Sequence, residues 1–423
     1  MTRRKQVGGR VARPSKNQLS PELEALLAPI AEQAVAQRLT LGQAMHSGPL
    51  AQLIGRFVEI ALQGELTHHL ETDSLHAHNV RNGSFSRQLT TEFGQVEVTR
   101  PRDRNSTFEP SILPKHGQLS DTIADQIVSL YTRGMTTRDI RKHLSDMYHT
   151  DLDDDLVSRV LERIEPELLE WRNRPLPPVF ACVFVDCLYI KMRHETGVEN
   201  TAVYVAMGYD DQGMQHILGT WVAEEGQTGE SASFWDKIFL ELKKRGVQDI
   251  FILCADGLAG MERAIEAVYP AARFQLCVVH LMRNSTQEVP WKDRLEACAS
   301  AREIYQAVSV EAAGQALKRL ESKWGTKYPG FVKVWTNAMP KLENLWSYGD
   351  ALRKMVYTTN ALENVNRIIR KGTKTRGSFP NRASALRLVT LILKQTHEGY
   401  KRARGDWRQI RLELEIHFAG RLP

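Results

Sequence analysis

The chain of 423 residues is 42% hydrophobic with a formal charge of +6, enough apolar mass for about two to four buried cores. No run approaches the roughly 18–20 consecutive apolar residues of a membrane span, and the basic N-terminus lacks the apolar segment of a secretory signal, so a protein without membrane contact, in the cytoplasm, is expected. Cys182, Cys187, Cys254, Cys277 and Cys298 are odd in number and lie mostly in apolar strand-like runs, which predicts free thiols in a reducing compartment and argues against a disulfide scaffold.

Residues 1–20 hold six Lys/Arg and no acid; they read as a disordered basic arm, without which the body is near neutral. Helical patterns follow over Pro21–Leu39 and Pro49–Leu70, the second with Leu53, Ile54, Phe57, Ile60 and Ala61 on one stripe. His68, His69, His76 and His78 cluster, but no cysteine partner or recognised ligand spacing accompanies them. Arg87–Arg100 alternates as a β-hairpin turning near Gly94, and PRDRN leads into a loop. From Ser120 to Trp171 the pattern is helical, broken at Gly134 and near His149–Asp153, and Thr136-x-x-Asp139 looks like a capping box. This layout resembles a helix-turn-helix unit, yet its would-be reading helix opens on Asp151, Asp153, Asp154 and Asp155. Acids there repel phosphates, so packing or dimerisation is preferred to groove insertion.

RPLPP at Arg174–Pro178 predicts a rigid linker and a domain boundary. Beyond it the texture becomes α/β: strands over Val179–Met192, Thr201–Tyr209 and Gln215–Ala223, a helix over Ser231–Arg245, then strands at Asp249–Ala255 and FQLCVVH. Three strands joined by short turns, followed by a helical crossover, predict a mixed sheet. From Arg283 to about Tyr348 the signal is wholly helical, anchored by Ile304, Leu317, Leu320, Trp324, Trp335 and Trp346.

Three acids stand out. Asp186 shares a face with Phe180, Cys182, Phe184, Leu188 and Ile190 in a run that is otherwise apolar. A carboxylate there needs a cation, a hydrogen-bond cage or a position at the strand's exposed end; backbone N–H groups or a pairing with Lys191 or Arg193 would also explain it. Asp256 ends the apolar run DIFILCA beside a helix start, where open α/β sheets place their sites, although an ordinary helix N-cap explains it equally. Glu363 sits in TTNALENVNRIIRK, where Asn360-x-x-Glu363 and an i,i+4 pair with Arg367 would account for it. Each is ambiguous alone. Together, three carboxylates from a central strand, a later strand end and a distant helix have the oxygen chemistry to hold two hard Mg²⁺ ions. Residues 364–408 carry twelve Lys/Arg against two acids, an excess that attracts a polyanion such as a phosphate backbone.

The ordered motifs RNG, PRDRNSTFEP, SLYTRGMTTRDI, EWRNRPL, LGTWVAEE, FWDKIFLELKKRGVQDI, ADGLAGMERAIEAVYP, QLCVVHLMRNS, KWGTKYP, RKMVYTTNALENVNRIIRKGTKTRGSFP and HFAGRL, from about Asn82 to Leu422, resemble the Mutator-type bacterial insertion-sequence transposases. The resemblance implies an α/β ribonuclease-H-like catalytic core, a mixed five-stranded sheet flanked by helices, interrupted by an all-α insertion and preceded by mainly helical N-terminal DNA-binding domains. The divisions it suggests are the arm (1–20), a helical and hairpin DNA-binding region (21–115), the helix-turn-helix-like domain (116–172), the core's first part (173–284), the insertion (285–357), the core's second part (358–400) and a tail (401–423).

By the same resemblance Asp186, Asp256 and Glu363 match the metal-binding acids, with Mg²⁺ as two ions and Mn²⁺ able to substitute. Cys277 and His280 match a Cys-x-x-His motif, His280 near the scissile phosphate and Cys277 in packing. Arg370 matches a DNA-contacting position, and Arg367, Lys371, Lys374 and Arg376 extend that basic surface. Asn364 stands where Ser is expected after the glutamate. The implied activity is cleavage of double-stranded DNA at the element's terminal inverted repeats and joining of the 3′-OH to target DNA. A homodimer or larger assembly in the bacterial cytoplasm, associated with the nucleoid, would do this. A non-catalytic DNA-binding or regulatory relative is the alternative.

Overall fold

The structure, a computed structural model, describes residues 20–39, 49–72, 79–91, 94–113, 121–148, 152–153, 155–195, 197–224, 230–358 and 360–423. The basic arm at 1–19, His76, His78, Asp151 and Asp154 lie outside the described residues. The chain divides into two compact units, Met1–Val128 with Arg138–Val157, and Ser129–Thr137 with Ser158–Pro423. No described helix is long and apolar enough to cross a membrane.

In the first unit, α1 (Pro21–Ala36) starts on Ser20, whose hydroxyl accepts the Leu23 N–H at 3.4 Å. Helix α2 (Pro49–Thr72) packs on the antiparallel hairpin β1 (Arg81–Thr91) and β2 (Gly94–Asp103). The buried stripe is not the expected one. Ala51, Val58 and Leu62 meet Leu89, Val96 and Val98, while Phe57 and Ile60 are exposed. The small residues decide this: a Cβ at Gly55 would lie 2.4 Å from a Val96 methyl, so the helix turns its Ala51/Gly55 side to the hairpin. The hairpin also begins six residues earlier than its alternation suggested, and Asp103 at its end accepts from Asn79 at 2.8 Å and from the Thr107 N–H at 2.9 Å. His69 contacts the Thr107 hydroxyl at 3.1 Å. Further on, α3 (Asp121–Thr132), α4 (Thr137–Tyr148) and α5 (Leu156–Arg163) fall where the helical pattern put them, and α4 buries Ile140, Leu144 and Tyr148 at four-residue spacing.

The second unit is built on a five-stranded sheet: β3 (Val179–His194), β4 (Gly197–Asp210), β5 (Gln215–Val222), β6 (Asp249–Ala255) and β7 (Arg273–Leu276), in the order β5-β4-β3-β6-β7. The first three strands run antiparallel and β6 and β7 join parallel to β3, the mixed sheet expected from short turns followed by a crossover. RPLPP is pinned to this sheet: Arg174, which follows α6 (Glu165–Asn173), donates to the Ile217 carbonyl of β5, and Pro178 accepts from Gln248 at 2.8 Å. One face carries α7 (Ala232–Lys244) and α8 (Met261–Val268), whose Trp235, Phe239 and Ile265 pack on Val183, Val185 and Leu253.

From β7 onward the described chain is helical: α9 (Val278–Ser285), α10 (Trp291–Tyr305), α11 (Val310–Trp324), α12 (Pro329–Ser347), α13 (Asp350–Tyr357), α14 (Asn360–Lys374), α15 (Arg382–Glu398) and α16 (Trp407–His417). The tryptophans cross-link this stretch: the indole N–H of Trp324 reaches Ser300, that of Trp335 reaches Ser285 and that of Trp346 reaches the Ile304 carbonyl, each at 3.1 Å. Leu317 is only partly buried.

The end of α14 docks on the turn at Gly134, where φ is +96° and a Cβ would lie 2.2 Å from the Gly372 carbonyl oxygen. Gly134→Ala should therefore combine left-handed strain with a steric collision and cost about 3 kcal/mol, readable as a lowered urea midpoint at unchanged slope.

Candidate active site

The parallel register of β3 and β6 pairs Phe184 with Cys254. Two residues further along each strand, Asp186 and Asp256 come level, Asp256 just past the end of β6. Asp256 does not cap a helix: Gly260 is the N-cap residue of α8, and the Asp256 Oδ1 accepts the Leu258 N–H at 3.2 Å. Neither Lys191 nor Arg193 pairs with Asp186, and both are exposed. Its Oδ1 instead accepts the Cys187 N–H at 2.8 Å and faces the His280 Nε2 at 3.5 Å, while Oδ2 accepts from the Asn366 side chain. Burial pushes the Asp186 carboxyl up and the nearby Asp256 adds to this; His280, the Cys187 N–H and Asn366 oppose the shift.

His280 is brought in by α9. The Cys277 N–H at the head of that helix donates to the Ala255 carbonyl at 2.7 Å, fixing the helix start against the end of β6. The adjoining Cys277 side chain, against the effect of burial and with help from Asp186, raises His280 to about 9, while its Nδ1 is buried with no partner among the described residues. Cys277 is buried, and none of the cysteines is in a disulfide.

Glu363 arrives on α14, where its carboxylate pairs with Arg283, one turn beyond His280 on α9. The expected pairing with Arg367 does not form; Arg367 donates to the Asn364 side chain at 2.8 Å. Among the described residues no three His, Cys, Asp or Glu side chains lie close enough to hold one ion. The structure thus sets His280 against Asp186, with Asp256 near enough to oppose the Asp186 charge, and pairs Glu363 with the Arg283 guanidinium on the helix of His280.

Sequence reasoning overlooked two members of this neighbourhood. Asn366 is 2% exposed, and its Oδ1 is buried with no partner among the described residues. It falls on the apolar stripe of Leu362, Val365 and Ile369, and a polar residue interrupting such a stripe was the available signal. Glu230 precedes the α7 N-cap Ser231 and accepts from the Trp235 indole at 2.8 Å, while its own N–H donates to the Tyr189 hydroxyl at 3.3 Å. Burial first, then repulsion from Asp256, lifts its carboxyl to about 7. Burial also holds the Cys187 thiol protonated, reinforced by Glu230, Asp186 and Asp256.

A pH dependence follows for the metal-free protein. Glu230 binds its proton more tightly folded than unfolded, so its contribution to stability falls as pH rises from its ordinary value of 4.5 to about 7. His280 acts in the same direction between 6.5 and about 9. Glu230→Gln should remove the lower part of this decline and gain up to about 3 kcal/mol above pH 7; urea melts in EDTA between pH 5 and 9 check it.

Of the basic residues, Arg367, Arg370, Lys371 and Lys374 are exposed on α14. Arg376 is used inside the fold: its guanidinium lies 3.9 Å from the Tyr131 ring centroid and donates to the Met135 carbonyl at 2.6 Å.

This chain belongs to the Mutator family of transposases, whose family profile matches residues 30–403. Among its relatives is the transposase for insertion sequence element ISRM3 of Rhizobium meliloti, 37% identical over 377 residues, 88% of this chain and 93% of the relative. A probable insertion sequence transposase of Corynebacterium diphtheriae is 40% identical over 294 residues, 69% of this chain and 84% of the relative. A chain of the Drosophila P element transposase strand transfer complex aligns with 70% of this chain and 85% of its own length at 10% identity, with a TM-score of 0.28, too low to bear on this fold.

Proposed function

We propose that this transposase binds the terminal inverted repeats of its own insertion sequence, cleaves them in a ribonuclease-H-like DDE centre and joins the freed 3′-OH to target DNA. The observation that carries the reading is the parallel β3–β6 register, which sets Asp186 and Asp256 level at the sheet with the helix of Glu363 docked on Asp186 through Asn366.

The donor set fits a hard divalent cation. Burial and the nearby Asp256 oppose the charge of Asp186, and a third acid stands within one helical turn of Asn366. Asp186, Asp256 and Glu363, the last on release from Arg283, would hold Mg²⁺ as two ions, or Mn²⁺. Bound there, the metal supplies Lewis-acid activation of the attacking hydroxyl and charge relief at the leaving oxygen.

The protein's own residues supply the rest. Protonated His280 offers its Nε2–H to Asp186 and adds positive charge beside the scissile phosphate. Arg367 and Arg370, one and two turns beyond Glu363, bind the flanking phosphates. Asp and Glu hold metal and do not attack, so no covalent protein–DNA intermediate forms. The helical stretch at 285–357 is the insertion in this core. Two ends must meet for joining, so the working form is a homodimer or larger assembly on DNA at the nucleoid.

The test is a nicking and strand-transfer assay on duplexes with and without the element's end, in Mg²⁺ and in EDTA. End-dependent cutting and joining in Mg²⁺ alone is expected. Binding without cutting would make the chain a non-catalytic relative, and cutting with no preference for the end would make it a general nuclease.

A further inference from the structure

Beyond the acids, a groove of about 460 Å³ runs between β3 and α14, lined by Tyr189, Lys191, Asn200, Arg370, Thr373 and Lys374 among others. Three cations, Lys191, Arg370 and Lys374, converge on it and no carboxylate lines it. Among the described residues none of the three is held in an ion pair, and all are exposed. Like charges gathered without counter-charge make a site for an anion. The far end is closed where Phe379 pairs with β3: its N–H donates to the Lys191 carbonyl at 2.8 Å, and its carbonyl accepts from Arg193 at 2.9 Å.

On β3, Tyr189 and Lys191 follow Asp186 by three and five residues, so their side chains leave the strand on the face opposite to the Asp186 carboxylate. On α14, Glu363, Arg367, Arg370 and Lys374 lie at i, i+4, i+7 and i+11, one stripe about 16 Å long. Tyr189 is 51% exposed, and its hydroxyl is anchored by the Glu230 N–H. A half-exposed aromatic ring among unpaired cations is the combination that takes a nucleotide strand, with phosphates on the cations and a base against the ring.

We propose that this groove binds one strand of DNA as it leaves the catalytic centre, with Lys191, Arg370 and Lys374 on its phosphates and Tyr189 receiving an unpaired base. The inference rests on the DNA-cleaving reading above and adds Tyr189 and Lys191 to the substrate-binding surface.

Binding is measured by fluorescence anisotropy in EDTA, with the full chain and labelled end-containing DNA, either fully duplex or with unpaired nucleotides beside the end. Lys191→Glu should weaken binding about tenfold or more at moderate salt, and should flatten the slope of log K against log salt by about 0.7 to 0.9 for each phosphate the variant no longer neutralises. Lys191→Gln should do the same in smaller measure, and Lys318→Glu, outside the groove, should leave the slope unaltered. Tyr189→Leu should weaken the DNA with unpaired nucleotides about five- to a hundredfold and spare the duplex; 2-aminopurine in that segment should be quenched by the wild type and not by the variant. Wild-type affinity and slope in both Lys191 variants, with folding verified by circular dichroism, would overturn the groove while leaving the transposase reading intact. A wild-type chain that fails to bind DNA at all would overturn that reading first.

Discussion

Asp186→Asn in the full chain is expected to reduce Mg²⁺-dependent nicking of end-containing DNA by at least about a thousandfold while leaving affinity in EDTA within a few fold of wild type. The magnitude corresponds to about 4 kcal/mol, a modest share of what metal-held charge stabilisation contributes to a phosphoryl transfer. Asn keeps the shape and two of the three interactions Asp186 makes, with the Cys187 N–H and with His280, but removes the negative charge a hard cation requires. The substitution should not unfold the protein, because burial already opposes that charge; Asn lifts the opposition, and the metal-free variant should melt no lower than wild type at neutral pH. Asp256→Asn should behave alike. Nicking that survives either change would remove the acid from the reaction.

Asn366→Leu is expected to raise the Mn²⁺ concentration needed for half-maximal nicking by about ten- to a hundredfold, in the range found when a group that orients a metal ligand is removed. The amide does two things from one position: it donates to Asp186, and it fixes α14, and so Glu363 one turn earlier, against β3. Leu keeps the branched shape, though it is bulkier, and removes the buried, unpartnered Oδ1, so the fold should tolerate the change. A merely structural role would lower the melting temperature without moving the metal titration. Asn366→Asp separates the two further, because a carboxylate facing Asp186 should be costly in EDTA and should be rescued by saturating Mn²⁺.

Much of the second unit was legible because its strands are largely buried and read as apolar runs, in which Asp186 had to be an exception with a reason. What the sequence hid was the partner. Asn366 lies 180 residues further along the chain, and no local pattern points from it to a strand. Glu363 illustrates the converse: its neighbours on the helix offered a local pairing with Arg367, and tertiary proximity of Arg283 overrode it. On α2 the pattern misled because large residues were read as the buried side, whereas close approach of a hairpin favours the small ones. Arg376 could be counted as a charge but not located, since only folding shows that a ring and a carbonyl claim it.

The turn that receives the end of α14 bears on how the catalytic unit can be isolated. Tyr131, Gly134 and Met135 precede the Pro-rich run by some forty residues, yet they grip Arg376 and Thr375. A fragment cut at Arg174, where composition invites the cut, would strip the helix bearing the third acid of its seat; one beginning before Ser129 would carry the seat with it.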